Sequence, residues 1–158
     1  MKAPIFGGNV KAVLLAGGLG TRLREETEFK PKPMVEIGGK PVVWHIMKNL
    51  AESNIRDFVI ATGYKSDVIK EYFLNYEARN NDFTITLGSS SAIEFHEEHD
   101  ESNWNVTVAF TGESTMTGGR VKRVQKYLGD ERFYRESGLH GHVRCRWQVH
   151  WQRTRRLL

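Results

Sequence analysis

Apolar and polar positions along this chain switch repeatedly between a strand-like and a helix-like pattern. Lys11 to Ala16 (KAVLLA) is a short apolar run that stops at two glycines, which predicts a buried parallel strand. Val42 to Ser53 reads as a helix, with Val43, Met47 and Leu50 on one face and Pro41 just ahead of its start. Asp57 to Thr62 (DFVIAT) is a second buried strand. Ser66 then fits the N-cap of a helix from Asp67 to Asn75, whose stripe is Ile69, Tyr72, Phe73 and Tyr76. Phe83 to Leu87 alternates like a strand, and Ser89 to Asn103 is polar and acidic enough to read mostly as loop. Asn105 to Thr111 (NVTVAFT) is a further strand, and Arg120 to Leu128 a helix with Val121, Val124 and Leu128 facing inward.

Strands alternating with helices over short connections predict an α/β fold: a Rossmann-like, mostly parallel sheet with helices on both faces. The loop that leaves the first strand, LLAGGLGTRLREETEFKPKPM, then lies where open α/β sheets bind ligands, beyond the strand's carboxyl end. Glycines at 17, 18 and 20 let backbone amides approach phosphate oxygens without a Cβ in the way. Arg22 adds a guanidinium fork that suits phosphate, and Lys32 can return to the same anion. Pro31 and Pro33 fix the backbone on either side of Lys32.

Two familiar phosphate loops are excluded. A dinucleotide loop needs a third glycine where this chain has Leu23, and a P-loop needs Gly-Lys-Ser/Thr, which is absent. The G-G-x-G alone reads equally well as a glycine-rich turn with surface cations. Arg120 alone reads as a surface arginine at a helix start. HEEHD at 96–100 spaces its histidines three apart in a polar stretch, not four apart on a helix, so a solvated acidic loop is the better reading than a metal site.

Longer strings are more specific. AGGLGTRLREET, KPKPMVEIGGKPVVWHIMK, ATGYKSDVIKEYF and TGESTMTGGRVKRVQKYLGDERF together resemble the nucleotide-diphospho-sugar pyrophosphorylases, from about Lys11 to Tyr134. The pairing of KPKPMVEIGGKP with TMTGGR points to the cytidylyl branch that acts on glucose 1-phosphate. The resemblance implies transfer of a cytidylyl group from CTP to glucose 1-phosphate, giving CDP-glucose and pyrophosphate; relatives using UTP, dTTP or GTP, or a non-catalytic nucleotide-binding remnant, stay open as alternatives. It implies that Leu15, Ala16, Gly17, Gly18, Leu19, Gly20, Thr21 and Arg22 wrap the nucleotide, with Arg22 on the departing pyrophosphate. Lys32 would meet the α-phosphate and the sugar phosphate, while Thr111, Gly118, Gly119 and Arg120 would contact CTP beside the base. It also implies Mg²⁺ on the phosphates and a homo-oligomer in the full-length family.

The metal expectation exposes a departure. The family's metal carboxylate sits in a Gly-Asp-Gly at the end of the strand after GDERF, but this chain has no Asp after Asp130, and Glu136 comes too early. The sequence therefore reads as a fold incomplete at its C-terminus: 1–134 as the nucleotide-binding part, and 135–158 as an unrelated tail, out of frame or disordered. An inactive chain follows from that reading.

Charge agrees with the division. Residues 1–134 carry 17 Lys+Arg against 18 Asp+Glu, whereas 135–158 carries six Arg against one Glu. The +4 net charge thus belongs to the tail rather than to a patterned nucleic-acid surface, and no nucleic-acid partner is expected. A single cysteine, Cys145, excludes an internal disulfide and suits a reducing cytoplasm. No apolar run is long enough for a membrane span and no leader is read at the N-terminus.

Overall fold

The computed structural model describes residues 10–18, 30–88, 92–129, 132–136 and 150–153, with 132 and 150–153 known by backbone alone. In chain order, strand β1 is Lys11–Ala16, followed by a 3-10 turn at Lys32–Met34 and a small ribbon, β2 (Glu36–Ile37) with β3 (Lys40–Pro41). Helix α1 (Val42–Glu52), strand β4 (Asp57–Thr62) and helices α2 (Ser66–Leu74) and α3 (Tyr76–Asn80) come next. Then follow β5 (Phe83–Thr86), β6 (Ala92–Phe95), β7 (Asn105–Phe110), α4 (Thr117–Val124), β8 (Arg132–Glu136) and β9 (His150–Arg153).

The main sheet has the order β7-β4-β1-β8-β9; the first four strands are parallel and β9 pairs antiparallel on β8. After β1 the chain steps outward to β4 and β7, then crosses back to the other side of β1 for β8. That reversal is a topological switch point, where helices leave opposite faces and open a crevice at the strands' carboxyl ends. Ala16 pairs with Thr62 and Thr62 with Phe110, so β1, β4 and β7 end flush.

The period-2 alternation of the buried strands explains the two layers. Ala12, Leu14 and Ala16 pack with Met47, Leu50, Ile69 and Tyr72 beneath α1 and α2. Val13, Val59, Ala61 and Ala109 pack with Val124, Leu128 and Phe133 on the α4 face. The predicted α/β sheet with helices on both faces is therefore what the chain forms. The basic tail shows no strand pattern in sequence, yet the backbone of His150–Arg153 covers the outer edge of β8.

Four local expectations differ. Ser66 does not cap its helix: it is the first helical residue, after a left-handed Lys65 (φ 50°), and its Oγ lies 2.7 Å from Thr62 Oγ1. The helix ends at Leu74, so Tyr76 belongs to α3. The stretch expected to be loop contains β6, which pairs Phe95 with Phe83 and Ile93 with Ile85. Its acidic neighbours hid the alternation. Finally, α4 starts three residues earlier than expected, at Thr117, and ends at Val124 before a 3-10 turn at Gln125–Tyr127. The HEEHD stretch is, as expected, an exposed irregular segment; only His99 is partly buried, its Nε2 3.0 Å from both Glu77 carboxylate oxygens, and Lys48 reaches Asp100 at 3.1 Å.

Three buried phenols give the fold an alkaline limit. Burial pushes Tyr72 from 10.0 up to about 12, and pushes Tyr76 and Tyr134 upward too. The neutral phenol is the form the fold favours, so stability is full below pH 10 and is lost as pH rises through the folded value. Tyr72's hydroxyl has no hydrogen-bond partner among the described residues. Tyr72→Phe removes that unpaired group, and is expected to be neutral or stabilising by up to about 1 kcal/mol at pH 7. It should also flatten the loss of stability above pH 10. Urea melts across pH 7 to 11 check both, and a clear loss at pH 7 would reveal a partner for the hydroxyl.

Candidate functional site

Three parallel strands reach the crevice and each runs into glycine: Ala16-Gly17 after β1, Thr62-Gly63 after β4, and Thr111-Gly112 just past β7. The group that occupies the space between them is the guanidinium of Arg120, only 5% exposed although it sits in the first turns of α4. Arg120 Nη1 donates to Thr62 O (3.0 Å), Thr111 Oγ1 (2.7 Å) and Gly112 O (2.7 Å). Its Nη2 donates to Gly17 O (2.8 Å) and Glu113 O (2.9 Å). One side chain thus ties together the ends of β1, β4 and β7.

The glycines follow from this packing. A Cβ on Gly17 would lie 2.1 Å from Arg120 Cζ, and one on Gly63 would lie 2.6 Å from Arg120 Nη1 and 2.8 Å from the carbonyls of Gly17 and Gly112. The side chain of Thr62 adds a bond to Ala109 O (3.0 Å), and Thr111 donates both its amide (2.9 Å) and its hydroxyl (2.7 Å) to Thr62 O. Arg123, one turn on, donates to Thr111 O and to Thr115 Oγ1 (2.8 Å). Among the described residues neither arginine is ion-paired; their partners are neutral oxygens. Burial, with Arg123 beside it, pulls the Arg120 guanidinium below its ordinary value. Two close cations with no carboxylate partner among the described residues, at the ends of parallel strands, make the crevice attractive to an anion.

The residues singled out from sequence divide accordingly. Leu15 is half-buried against the α4 face, Ala16 and Gly17 are buried, and Gly18 is exposed with open space around it. Leu19, Gly20, Thr21 and Arg22 lie outside the described residues. Lys32 stands on the 3-10 turn between buried Pro31 and Pro33, packed against α1 and α2, so its backbone is as fixed as the prolines imply. Gly118 is exposed and Gly119 half-buried, both in the first turn of α4. The structure brings Gly17, Thr111 and Arg120 into one bonded cluster. Arg120 is not the surface arginine that an isolated reading gives it.

Sequence reasoning missed Thr62, Gly63, Gly112 and Arg123. A sign of them was present: two strands run into the same Thr-Gly pair, and a third runs into Gly-Gly.

The described residues do not build a protein-held metal site. They contain no group of three or more His, Cys, Asp or Glu side chains suited to a metal. The carboxylate at the end of β8, Glu136, accepts a hydrogen bond from the Tyr134 hydroxyl at 2.6 Å. A lone strand-end carboxylate falls short of the donor set that Mg²⁺ usually requires.

Comparison with known proteins gives the geometry a context. Residues 11–135 match the family model described as nucleotidyl transferase. Over 122 residues the chain is 57% identical to glucose-1-phosphate cytidylyltransferase of Salmonella typhimurium, covering 77% of this chain and 47% of that protein. It is 44% identical over 124 residues to a probable glucose-1-phosphate cytidylyltransferase of Bacillus subtilis, covering 78% of this chain and 48% of that one. The chain therefore spans about half the length of these relatives. Among solved structures, HddC from Yersinia pseudotuberculosis complexed with GMP-PN shares 28% identity at a TM-score of 0.53, over 80% of this chain and 46% of that one. The inositol-1-phosphate CTP transferase of T. maritima shares 20% identity at a TM-score of 0.58, over 83% and 44%, a likeness of fold alone.

Proposed function

The chain belongs to the nucleotidyl transferase family, and from that premise we propose that it is the nucleotide-binding half of a glucose-1-phosphate cytidylyltransferase. The observation that carries the reading is the 57% identity to the Salmonella typhimurium relative over 122 residues of this chain. In the proposed reaction a phosphate oxygen of glucose 1-phosphate attacks the α-phosphorus of CTP in line. A new P–O bond forms, the bond from the α-phosphorus to the bridging oxygen breaks, and pyrophosphate leaves. Positioning and positive charge do the work in such a transfer.

The proposed roles follow the crevice. Leu15 to Arg22 wrap the nucleotide, with the amides from Gly17 to Thr21 on phosphates and Arg22 on the leaving pyrophosphate. Lys32 bridges the α-phosphate and the sugar phosphate. The wall beside the base is the segment from Thr111 to Arg120, with Gly118 and Gly119 facing the nucleotide while Thr111 and Arg120 support it from beneath. The metal is proposed to be Mg²⁺ carried on the triphosphate, since the described residues do not build a site for it. The homologous unit is proposed to end near Tyr134, supported by a family match that stops at residue 135, with 135–158 a separate basic tail. A cytoplasmic, homo-oligomeric enzyme completes the proposal. No helix among the described residues is long and apolar enough to cross a membrane.

The test is calorimetric titration of the purified chain with CTP and UTP. The two bases differ at the exocyclic group on C4, and a site that pairs with one leaves buried partners unpaired with the other. CTP should bind more tightly by roughly tenfold or more. Equal affinity would remove the cytidylyl assignment and leave the family alone, while absence of binding to either would remove the nucleotide-binding role of this half.

A further inference from the structure

The arginine that joins three strand ends also decides which way their amides point. In a planar trans peptide the C=O and the following N–H point in opposite directions, and no described peptide is cis. Arg120 takes the carbonyls of Gly17, Gly112 and Glu113. The N–H groups of Gly18, Glu113 and Ser114 share those three peptide units, so they are turned away from the guanidinium. Gly18 is exposed, and so are Glu113 and Ser114. Open space surrounds Gly18.

We infer that Arg120 is the positioning residue of the phosphate site: by holding three carbonyls inward from below, it presents the amides of Gly18, Glu113 and Ser114 outward to a polyphosphate, and it does not read the base. This rests on the nucleotide-binding reading above and deepens it. The geometry also explains why a buried cation is tolerated with no carboxylate partner among the described residues. A carboxylate there would compete for the guanidinium and release the carbonyls, whereas neutral carbonyl partners keep the peptides oriented and leave the positive charge for an incoming anion. Arginine suits the task and lysine does not, because two nitrogens in one rigid plane reach acceptors from three strands at once. Gly63 belongs to the same device although it lies outside the glycine loop, since any Cβ there displaces Nη1.

The experiment uses the full 158-residue chain and three probes, inorganic tripolyphosphate, CTP and UTP, with Arg120→Met, Arg120→Lys and Gly63→Ala. Each variant should bind all three probes more weakly by one common factor, about tenfold or more, as loss of an outer support of a binding site typically does. The ratio of CTP to UTP affinity should stay at the wild-type value, and Arg120→Lys should restore little despite keeping the charge. A changed ratio would place Arg120 on the base and overturn the proposal, as would unchanged tripolyphosphate binding by a folded variant. Where Arg120→Met does not fold, Gly63→Ala and Arg120→Lys decide the matter by the same readout. Should the wild-type chain bind none of the probes, the nucleotide reading fails separately, and hydrogen exchange then judges the orientation. The Gly18, Glu113 and Ser114 amides should exchange at least several-fold faster in Gly63→Ala, with those of Val59 and Ile60 unchanged; equal rates at the loop amides would overturn it.

Discussion

In a chimera that continues residues 11–134 into the remaining half of the Salmonella typhimurium relative, Arg22→Ala and Lys32→Ala each lower turnover by roughly a hundredfold or more. The cause is electrostatic. A triphosphate and a sugar phosphate must meet, and negative charge accumulates on the leaving pyrophosphate as the bond breaks. A cation placed at that point in advance is worth about 3 kcal/mol of barrier. Lys32 cannot be replaced by a shift of its own backbone, since buried prolines hold it on both sides. Arg22 follows Gly17 by five positions in sequence, and Arg120 holds the Gly17 carbonyl. The measurement is pyrophosphate release with CTP, glucose 1-phosphate and Mg²⁺, read as separate kcat and KM. A fall in kcat marks a transition-state contact, while a rise in KM alone would reduce the residue to ground-state binding. Near-normal turnover in either variant removes its assigned role.

Arg120→Met in the 158-residue chain costs about 3 kcal/mol of folding free energy, the second large effect. Two terms compete. Removing a desolvated cation returns several kcal/mol. Against that stand five hydrogen bonds from a charged donor, each worth about 1.5–3 kcal/mol, and acceptors left buried in the fold. Thr62 O retains both donors of Thr111, so it suffers least. Gly17 O, Gly112 O and Glu113 O lose the donor that holds them inward. Methionine fills the aliphatic stem but donates nothing, so the balance is destabilising. Urea unfolding should show it, with a fall in melting temperature of about 6–12 °C for a domain of this size. A loss under about 1 kcal/mol would mean that the strand ends are held by Thr62 and Thr111 without the arginine.

Most of the sheet was legible in the chain because its information is local. KAVLLA and DFVIAT are apolar runs of strand length that need burial wherever they end up, and NVTVAF is legible from its β-branched and aromatic residues although it forms a partly exposed sheet edge. The helix Val42–Glu52 was legible from Val43, Met47 and Leu50, which fall on one face at helical spacing whatever the helix packs against. The glycine-rich exit from β1 and the two prolines around Lys32 were legible too, since restrictions on φ belong to the residue itself. Ser66 misled because a serine before a helix offers its hydroxyl equally to the helix amides or to a neighbour, and Thr62 was near enough to take it. Likewise β6 escaped notice because a two-stranded ribbon is defined by its partner, and Ile93 and Phe95 have meaning only opposite Ile85 and Phe83.

The role of Arg120 was the least legible of all. On α4 it follows Gly118 and Gly119 and looks like any cation in a first turn. Its Gly17 acceptor lies 103 positions away and its Thr62 acceptor 58 away, and nothing in the spacing of TMTGGR records either. The sequence by itself determined which segments are strands and helices, where the chain must turn on glycine, and which residue types are available to meet a phosphate. The tertiary structure alone decided that one arginine would be buried among the ends of three strands, because hydrogen bonds to backbone carbonyls depend on where those carbonyls are brought together in space and not on the side chains that carry them.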